Sequence, residues 1–338
     1  MARSLYPELL GPSLPAMGEG SRWLVTGAAG FIGSHLVEAL LSLGQRVTAL
    51  DDLSTGHREN VERAVDLAGP GASGRLSFVE GSIEDPDVCA RAVDGAQIVL
   101  HHAALASVPA SVEAPARCAR VNVQGFVHVL EAARAAGTRR VVYASSSAVY
   151  GDGPRQPKIE EDVGACLSPY ALSKLEDELC AELWTHLYGL ECVGLRYFNV
   201  FGPRQDPAGA YAAVIPRWIA AVRSGEPPVL YGDGSATRDF CSVRNVVLAC
   251  ILAATSEDQR VRGSVFNIAC GERTSLRELL RLIAETFAPG MDVRPIEEPA
   301  RAGDILHSSA SIDRAREALG YRPLVSLEEG LREMAEQG

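Results

Sequence analysis

The chain has 338 residues and a formal net charge of -11, long enough for one large α/β domain or two closely packed ones. That acidity argues against a general affinity for nucleic acid or anionic lipid, although a local arginine cluster can still hold phosphate inside an acidic protein. The eight cysteines form no C-x-x-C pair and have no histidine partners at zinc-finger spacing, so they read as reduced thiols and no metal site is expected.

The first twenty residues, "MARSLYPELLGPSLPAMGEG", lack the basic start and long apolar core of a signal peptide, and no later run is long and apolar enough to span a bilayer. A cytoplasmic, soluble protein with no membrane attachment is expected. Residues 1–20 read as a loosely attached extension with a short helix around "YPELL", closed by Gly11-Pro12. From Arg22 the pattern becomes regular. "RWLVT" predicts a buried strand, "FIGSHLVEALLSLG" a helix ending at Gly44, and "RVTAL" a second strand, together a βαβ unit. The alternation continues with strand "RLSFVE", a helix near 87–93, strand "QIVLH", a long helix within 112–136, strand "RRVVYAS", a helix carrying Tyr170, and strand "CVGLRYF". Such alternation predicts an α/β fold, a Rossmann-type doubly wound parallel sheet with helices on both faces. After Phe198 the texture turns to Pro- and Gly-rich loops between helices such as "YAAVIPRWIAAVRSG", "TSLRELLRLIAETF" and "SIDRAREALG", with a closing helix after Ser326. This predicts one α/β domain over residues 21–198, with interleaved segments from later in the chain, and 199–338 as mainly a smaller α/β lobe.

"VTGAAGFIGSHL" sets glycines at 27, 30 and 33 between the first strand and the first helix. Glycine there lets backbone approach a pyrophosphate, and the helix amino terminus offers free N–H groups and a positive dipole end. Asp51 closes the second strand, 18 residues after Gly33, where a carboxylate can accept from both ribose hydroxyls and would repel a 2′-phosphate. NAD is therefore favoured over NADP. Further on, "SPYALSK" sets Tyr170 and Lys174 four residues apart where Ser168 and Pro169 start a helix, so the two share one face. A tyrosine titrates near ~10 and becomes a base at neutral pH only where positive charge stabilises its phenolate. Lys174 supplies that charge.

Several separated motifs now agree: T-G-x-x-G-F-I-G at 26–33, "HHAA" at 101–104, "SSSAVYG" at 145–151, "SPYALSK" at 168–174, "LRYFNVFGPRQ" at 195–205 and "RDF" at 238–240. In these the chain, from about Arg22 to about Gly320, resembles the extended short-chain dehydrogenase/reductase superfamily, specifically its nucleotide-sugar epimerases. One motif departs: where that family usually has Gly-Asp-Ile or Gly-Asp-Leu after the third strand, this chain has Gly81-Ser82-Ile83, so altered adenine contacts are expected. The resemblance implies a catalytic trio of Ser146, Tyr170 and Lys174, with Ser147 a second substrate contact. It also implies a tightly held NAD, regenerated in each turnover. The cofactor would be bound by Gly27, Gly30, Phe31, Ile32, Gly33, Asp51, Asp52, Ser82, Ile83, His102, Ala103, Ala104 and Tyr197, together with Tyr170 and Lys174.

Related dehydratases carry an Asp-Glu pair immediately after the catalytic hydroxyl; here Ser147-Ala148 follow, so elimination of water lacks its catalysts. The simpler cycle is oxidation at C4 of the sugar, rotation of the 4-keto sugar, and return of hydride to its other face. For the UDP-sugar the resemblance implies Ser107 and Asn199 near sugar and phosphates, Arg238 and Arg301 on the diphosphate, Asp304 on the ribose, and Ala213, Val214, Ile215 and Tyr231 around uracil. It places Ser308 at the position that gates the sugar pocket, where a tyrosine would crowd a bulky C2 group and a small residue leaves room for N-acetyl. "LASVPAS" at 105–111 and the amino-terminal extension also look most like epimerases of UDP-N-acetylglucosamine and UDP-N-acetylgalactosamine, with UDP-glucose and UDP-galactose as further substrates. UDP-glucuronate 4-epimerases are the nearest rival reading; a dehydratase or decarboxylase, and a non-catalytic dinucleotide sensor, lie further away. The resemblance also implies a homodimer paired through the helices near 116–136 and 172–187.

Overall fold

The computed structural model of the protein describes residues 3–11, 20–207, 213–300 and 306–337. Its first helix, α1 (Tyr6–Leu10), precedes β1 (Arg22–Thr26), α2 (Phe31–Ser42), β2 (Arg46–Asp51), α3 (Arg58–Ala68), β3 (Leu76–Glu80), α4 (Pro86–Val93) and β4 (Ile98–His101). Then come α5 (Val108–Glu113), α6 (Pro115–Cys118), a π-helical turn (Ala119–Gln124), α7 (Gly125–Ala135), β5 (Arg140–Ser146), α8 (Pro169–Tyr188) and β6 (Glu191–Tyr197). The remainder holds β7 (Val200–Phe201), α9 (Val214–Ser224), β8 (Val229–Tyr231), β9 (Thr237–Arg238), β10 (Cys241–Ser242), α10 (Val243–Thr255), β11 (Val265–Ile268), β12 (Thr274–Ser275), α11 (Leu276–Phe287), β13 (Ile296–Glu298), β14 (His307–Ser308), α12 (Asp313–Leu319) and α13 (Leu327–Gln337).

The main sheet has seven parallel strands in the order β11-β6-β5-β4-β1-β2-β3. Strand order reverses beside β1, so the carboxyl ends of β1 and β4 open the crevice in which doubly wound sheets bind ligands. Two apolar layers cover the sheet. One gathers Leu36, Leu40, Val246 and Ile251 from α2 and α10; the other gathers Phe126, Val129, Leu130 and Ala181 from α7 and α8. A third core, with Trp218, Ile219, Leu230, Leu279, Ile283 and Leu331, belongs to the lobe after β6, whose short strands pair as β12-β9-β14 and β13-β8.

The long helix expected within 112–136 is present as one continuous run, 115–135, from α6 through the π-helical turn to the end of α7; Pro115 disfavours helical backbone in the residue before it, and Ala114 at φ -134, ψ 64 separates α5 from that run. One expectation changes. The extension is not loosely attached over its described part: Tyr6 and Leu10 are fully buried, which contributes about 2 kcal/mol for each side chain. The Tyr6 hydroxyl donates to His35 Nδ1 at 2.8 Å, while His35 Nε2 donates to the Pro203 carbonyl at 2.9 Å, so α1 is tied to the helix that follows the glycine turn. Helix α10 and strand β11 carried no periodic signal, since a helix buried on all sides has no polar stripe; nearly every residue of α10 is buried. Among the described residues, no helix is long and apolar enough to cross a membrane, and no cluster of histidine, cysteine or acidic side chains has the geometry to hold a metal ion. All eight cysteines are free thiols.

Candidate functional site

Two of the three glycines in the turn are sterically obligatory. Gly27 has φ +66, and a Cβ there would lie 2.7 Å from Ala103 N; a Cβ on Gly33 would lie 2.0 Å from the Gly27 carbonyl oxygen. Both positions therefore exclude any side chain. Gly30 is the N-cap of α2 and offers no side-chain acceptor to the helix, so the first N–H groups of α2 are not taken up by a side-chain cap. Asp51 is nine-tenths buried at the end of β2 and accepts from Ala29 N at 2.9 Å and from Leu53 N at 2.8 Å; burial raises its carboxyl above the ordinary value. Asp52 accepts from Ser54 N at 3.0 Å. A bare backbone cradle at a helix amino terminus, with a carboxylate on the neighbouring strand, fits the pyrophosphate and ribose of a dinucleotide.

Beside this cradle, Ser82 accepts from Glu84 N at 3.2 Å, and Ile83 packs buried over Gly125. Thr26 Oγ1 accepts from the backbone N–H of His102 and Ala103 at 3.2 and 3.1 Å and lies 2.9 Å from His101 Nδ1. This fixes His101, His102 and Ala103 of the "HHAA" segment against β1, and Ala104 follows directly. His102 Nε2 shares a 2.8 Å hydrogen bond with the Tyr197 hydroxyl, which also meets Cys250 Sγ at 3.1 Å. Burial pulls the His102 imidazole down to about 3. Phe31 and Ile32 begin α2.

Ser146 ends β5 and caps the short turn Ser147–Tyr150 by accepting from Ala148 N at 3.1 Å. Ser168 caps α8 by accepting from Ala171 N at 3.1 Å, with Pro169 in the first turn. Tyr170 and Lys174 then fall on one face, as the spacing predicted, and the Tyr170 N–H donates to Ser111 Oγ at 3.1 Å. Lys174 is 2% exposed, and its ammonium pairs with Asp177 at 3.0 Å. Burial alone would pull that ammonium down, but the charges of Asp177 and Tyr170 outweigh it and hold it above the ordinary lysine value. Two networks support this corner. Asn122 accepts from Leu105 N at 2.7 Å and donates to Ser173 Oγ at 2.9 Å. Glu178 accepts from Ser145 Oγ at 2.5 Å and pairs with Arg196 at 2.7 Å, joining β5, β6 and α8. Sequence reasoning missed Ser111, Asn122 and Asp177; only Asp177 had a signal, an acid one helical turn beyond the lysine in "SKLED".

In the lobe, Asn199 takes a positive φ of 33 and donates to the Asp239 carbonyl at 2.9 Å. Arg238 on β9 pairs in register with Ser308 on β14. Asp239 is fully buried and accepts from the backbone of Cys270 and Gly271 at 2.9 and 3.0 Å; burial raises its carboxyl to about 6. Tyr231 ends β8, half-buried. Ala213 caps α9, while Ile215 is buried in the lobe's core and Val214 packs at its edge. Ser107 caps α5 by accepting from Ala110 N at 3.2 Å. Arg301 and Asp304 lie outside the described residues.

Comparison with known proteins agrees with this fold. The sequence profile of a family described as "NAD dependent epimerase/dehydratase" matches residues 23–269. A UDP-glucose 4-epimerase of Mycolicibacterium smegmatis is 41% identical over 317 residues, covering 93% of this chain and 97% of that protein. Among solved structures, a UDP-N-acetylglucosamine 4-epimerase of Methanobrevibacter ruminantium in complex with UDP-N-acetylmuramic acid superposes with a TM-score of 0.86 at 37% identity, covering 94% of this chain and 98% of that one. A UDP-glucose 4-epimerase of Thermus thermophilus, solved as a complex with NAD, gives 0.80 at 37% identity, covering 93% and 98%.

Proposed function

This chain belongs to the NAD dependent epimerase/dehydratase family, and from that premise we infer that it inverts C4 of a UDP-sugar, with UDP-N-acetylglucosamine and UDP-N-acetylgalactosamine as its preferred pair. Three features carry the reading, each from an element that ends or begins at the carboxyl edge of the sheet. Ser146 ends β5, Tyr170 lies in the first turn of α8, and the buried Lys174 ammonium is electrostatically linked to Tyr170.

Tyr170 is the proton acceptor for the sugar O4 hydroxyl, and it returns that proton when the 4-keto sugar is reduced on its opposite face. Lys174 stabilises the phenolate this role requires. Ser146 shares the proton across the substrate oxygen. NAD, when bound, supplies a hydride acceptor that is restored within each turnover. Gly27 and Gly33 let the turn pack tightly against Ala103 and the start of α2, Gly30 leaves the helix amino terminus open to the pyrophosphate, and Asp51 holds its ribose. No acid pair follows Ser146, so the sugar leaves with its composition unchanged. Asn199 and Arg238 hold the diphosphate, and Ala213, Val214 and Tyr231 line the uracil end. Ser308, a small residue beside Arg238, leaves space for a C2 N-acetyl group. A roomier pocket rejects a smaller sugar only weakly, so UDP-glucose and UDP-galactose are secondary substrates.

The expected state is a homodimer. Leu172, Leu179, Leu183 and Leu187 are exposed on α8, spaced 7, 4 and 4 residues apart on one face, and Val112 is exposed on α5. Sedimentation as a monomer at micromolar concentration would remove the dimer from this reading. The decisive test of function follows the sugar ring protons by NMR in separate incubations with UDP-N-acetylglucosamine, UDP-glucose and UDP-glucuronate, without added reductant. The galacto form should appear fastest from the N-acetyl sugar; faster conversion of UDP-glucuronate would overturn the substrate preference, and inertness toward all three would overturn the activity.

A further inference from the structure

Lys174 and Asp177 sit one helical turn apart on α8 with side chains 3% and 1% exposed, their charges 3.0 Å apart. The neighbouring acid, Glu178, has both carboxylate oxygens occupied by Ser145 and Arg196 and serves to tie strands to helix. Asp177 is different. Its Oδ2 meets Lys174, and its Oδ1 is buried with no hydrogen-bond partner. A carboxylate buried in this way costs several kcal/mol unless it is paired, and its one polar contact is the lysine.

We propose that Asp177 is a positioning residue that clamps the Lys174 ammonium and, through its charge, sets the pH range in which Tyr170 exchanges protons with substrate. The inference rests on the proton-transfer reading of Tyr170 and Lys174. An ionised Asp177 does two things at once: it keeps Lys174 charged in a dry site, and it offsets part of the positive field that reaches the phenolate.

Other groups around the pair set the background. Tyr170, Glu176, Glu178 and Cys180 come from α8 itself, and Cys118 faces the pair from the end of α6. Tyr143 on β5 feels Asp177, and Arg196 on β6 is taken up by Glu178. His101 on β4 and His102 just beyond it feel Lys174 and are held neutral by burial. Within this setting burial raises the Asp177 carboxyl to about 6, with Lys174 opposing the rise, so its charge changes inside the range where an enzyme is assayed.

The test compares kcat across pH for wild type, Asp177→Asn and Asp177→Glu. Asparagine keeps the shape and removes the charge, so the field of Lys174 at Tyr170 strengthens while the ammonium itself becomes easier to deprotonate. Both limbs of the kcat profile should move down by about one pH unit, and glutamate should bring them back toward wild type. A role confined to packing would lower kcat without moving either limb, and unmoved limbs in a folded, active Asp177→Asn overturn the proposal. A second arm needs neither a folded variant at 177 nor turnover: the buried Lys174 ammonium of the wild-type protein is followed by nitrogen NMR, assigned by its loss in Lys174→Met. Its resonance should shift with a midpoint near that of the Asp177 carboxyl; an ammonium unresponsive as pH crosses about 6, where that carboxyl changes charge, overturns the clamp even if no UDP-sugar is turned over.

Discussion

Ser308 and Arg238 stand opposite each other in register across β14 and β9, and the N–H of Asp239 donates to the Ser308 carbonyl at 2.9 Å. The residue proposed to gate the sugar is thus bolted to the residue proposed to hold the diphosphate, so size at position 308 is felt at a fixed distance from the anchored nucleotide. Ser308→Tyr should lower kcat/KM for UDP-N-acetylglucosamine by on the order of tenfold or more and leave UDP-glucose much less affected. Competition between the two sugars in one tube measures this ratio. An unchanged ratio would mean that Ser308 does not face the C2 substituent.

Tyr170→Phe removes one oxygen and keeps the ring in the first turn of α8, where the backbone N–H still reaches Ser111. Turnover should fall by about 10²–10⁴-fold, the range ascribed to a positioned acid or base, while NAD retained through gel filtration stays near the wild-type level. Full activity in this variant would transfer the proton role to another group.

Gly33→Ala tests the cofactor cradle by sterics alone. The added Cβ would lie 2.0 Å from the Gly27 carbonyl oxygen and 2.7 Å from its carbon, both backbone atoms that a rotamer change cannot move aside. Overpacking of this kind costs on the order of 1–3 kcal/mol, and the displaced turn should also lose NAD. Thermal melts with and without added NAD separate the two effects, since binding to the folded state alone raises the melting temperature. A variant that melts like wild type and is stabilised equally by NAD would show that the turn has slack.

The motifs were legible because they are local. A glycine turn, an N-cap and a tyrosine–lysine spacing each depend on a few consecutive residues, and the structure places Gly27, Ser168, Tyr170 and Lys174 as the spacing implied. What escaped is what depends on residues distant in sequence. Asn122 meets Ser173 across 51 positions and Arg196 meets Glu178 across 18, pairings that no periodicity encodes. The docking of α1 was missed for the same reason: Tyr6 reads as part of a loosely attached extension until His35, Arg204 and Arg244 are brought beneath it, with the Arg244 guanidinium 4.9 Å from the centre of its ring. Asp177 was visible as a letter, but its burial was not.

His102 allows the site's electrostatics to be read through stability. Burial pulls its imidazole down to about 3 in the folded protein, whereas in the unfolded chain it returns to about 6.5. The folded-state value is depressed, so the contribution of the neutral ring is fully present above the unfolded value and is lost as pH falls below it, because only the unfolded state takes up the proton there. His102→Phe removes that uptake and leaves Tyr197 its contact with Cys250. The stability difference between wild type and variant, measured by denaturant unfolding, should therefore change in favour of the variant by up to ~1.4 kcal/mol for each pH unit below about 6.5. Asp177 and Asp239, whose carboxyls are raised, slope the opposite way below about 6 in both proteins, and their effect cancels in the difference. Parallel stability curves from neutral pH down to about 4.5 would mean that His102 takes up its proton in the folded state as readily as in the unfolded one, and the dry, histidine-lined wall beside Lys174 would have to be redrawn as a wet one.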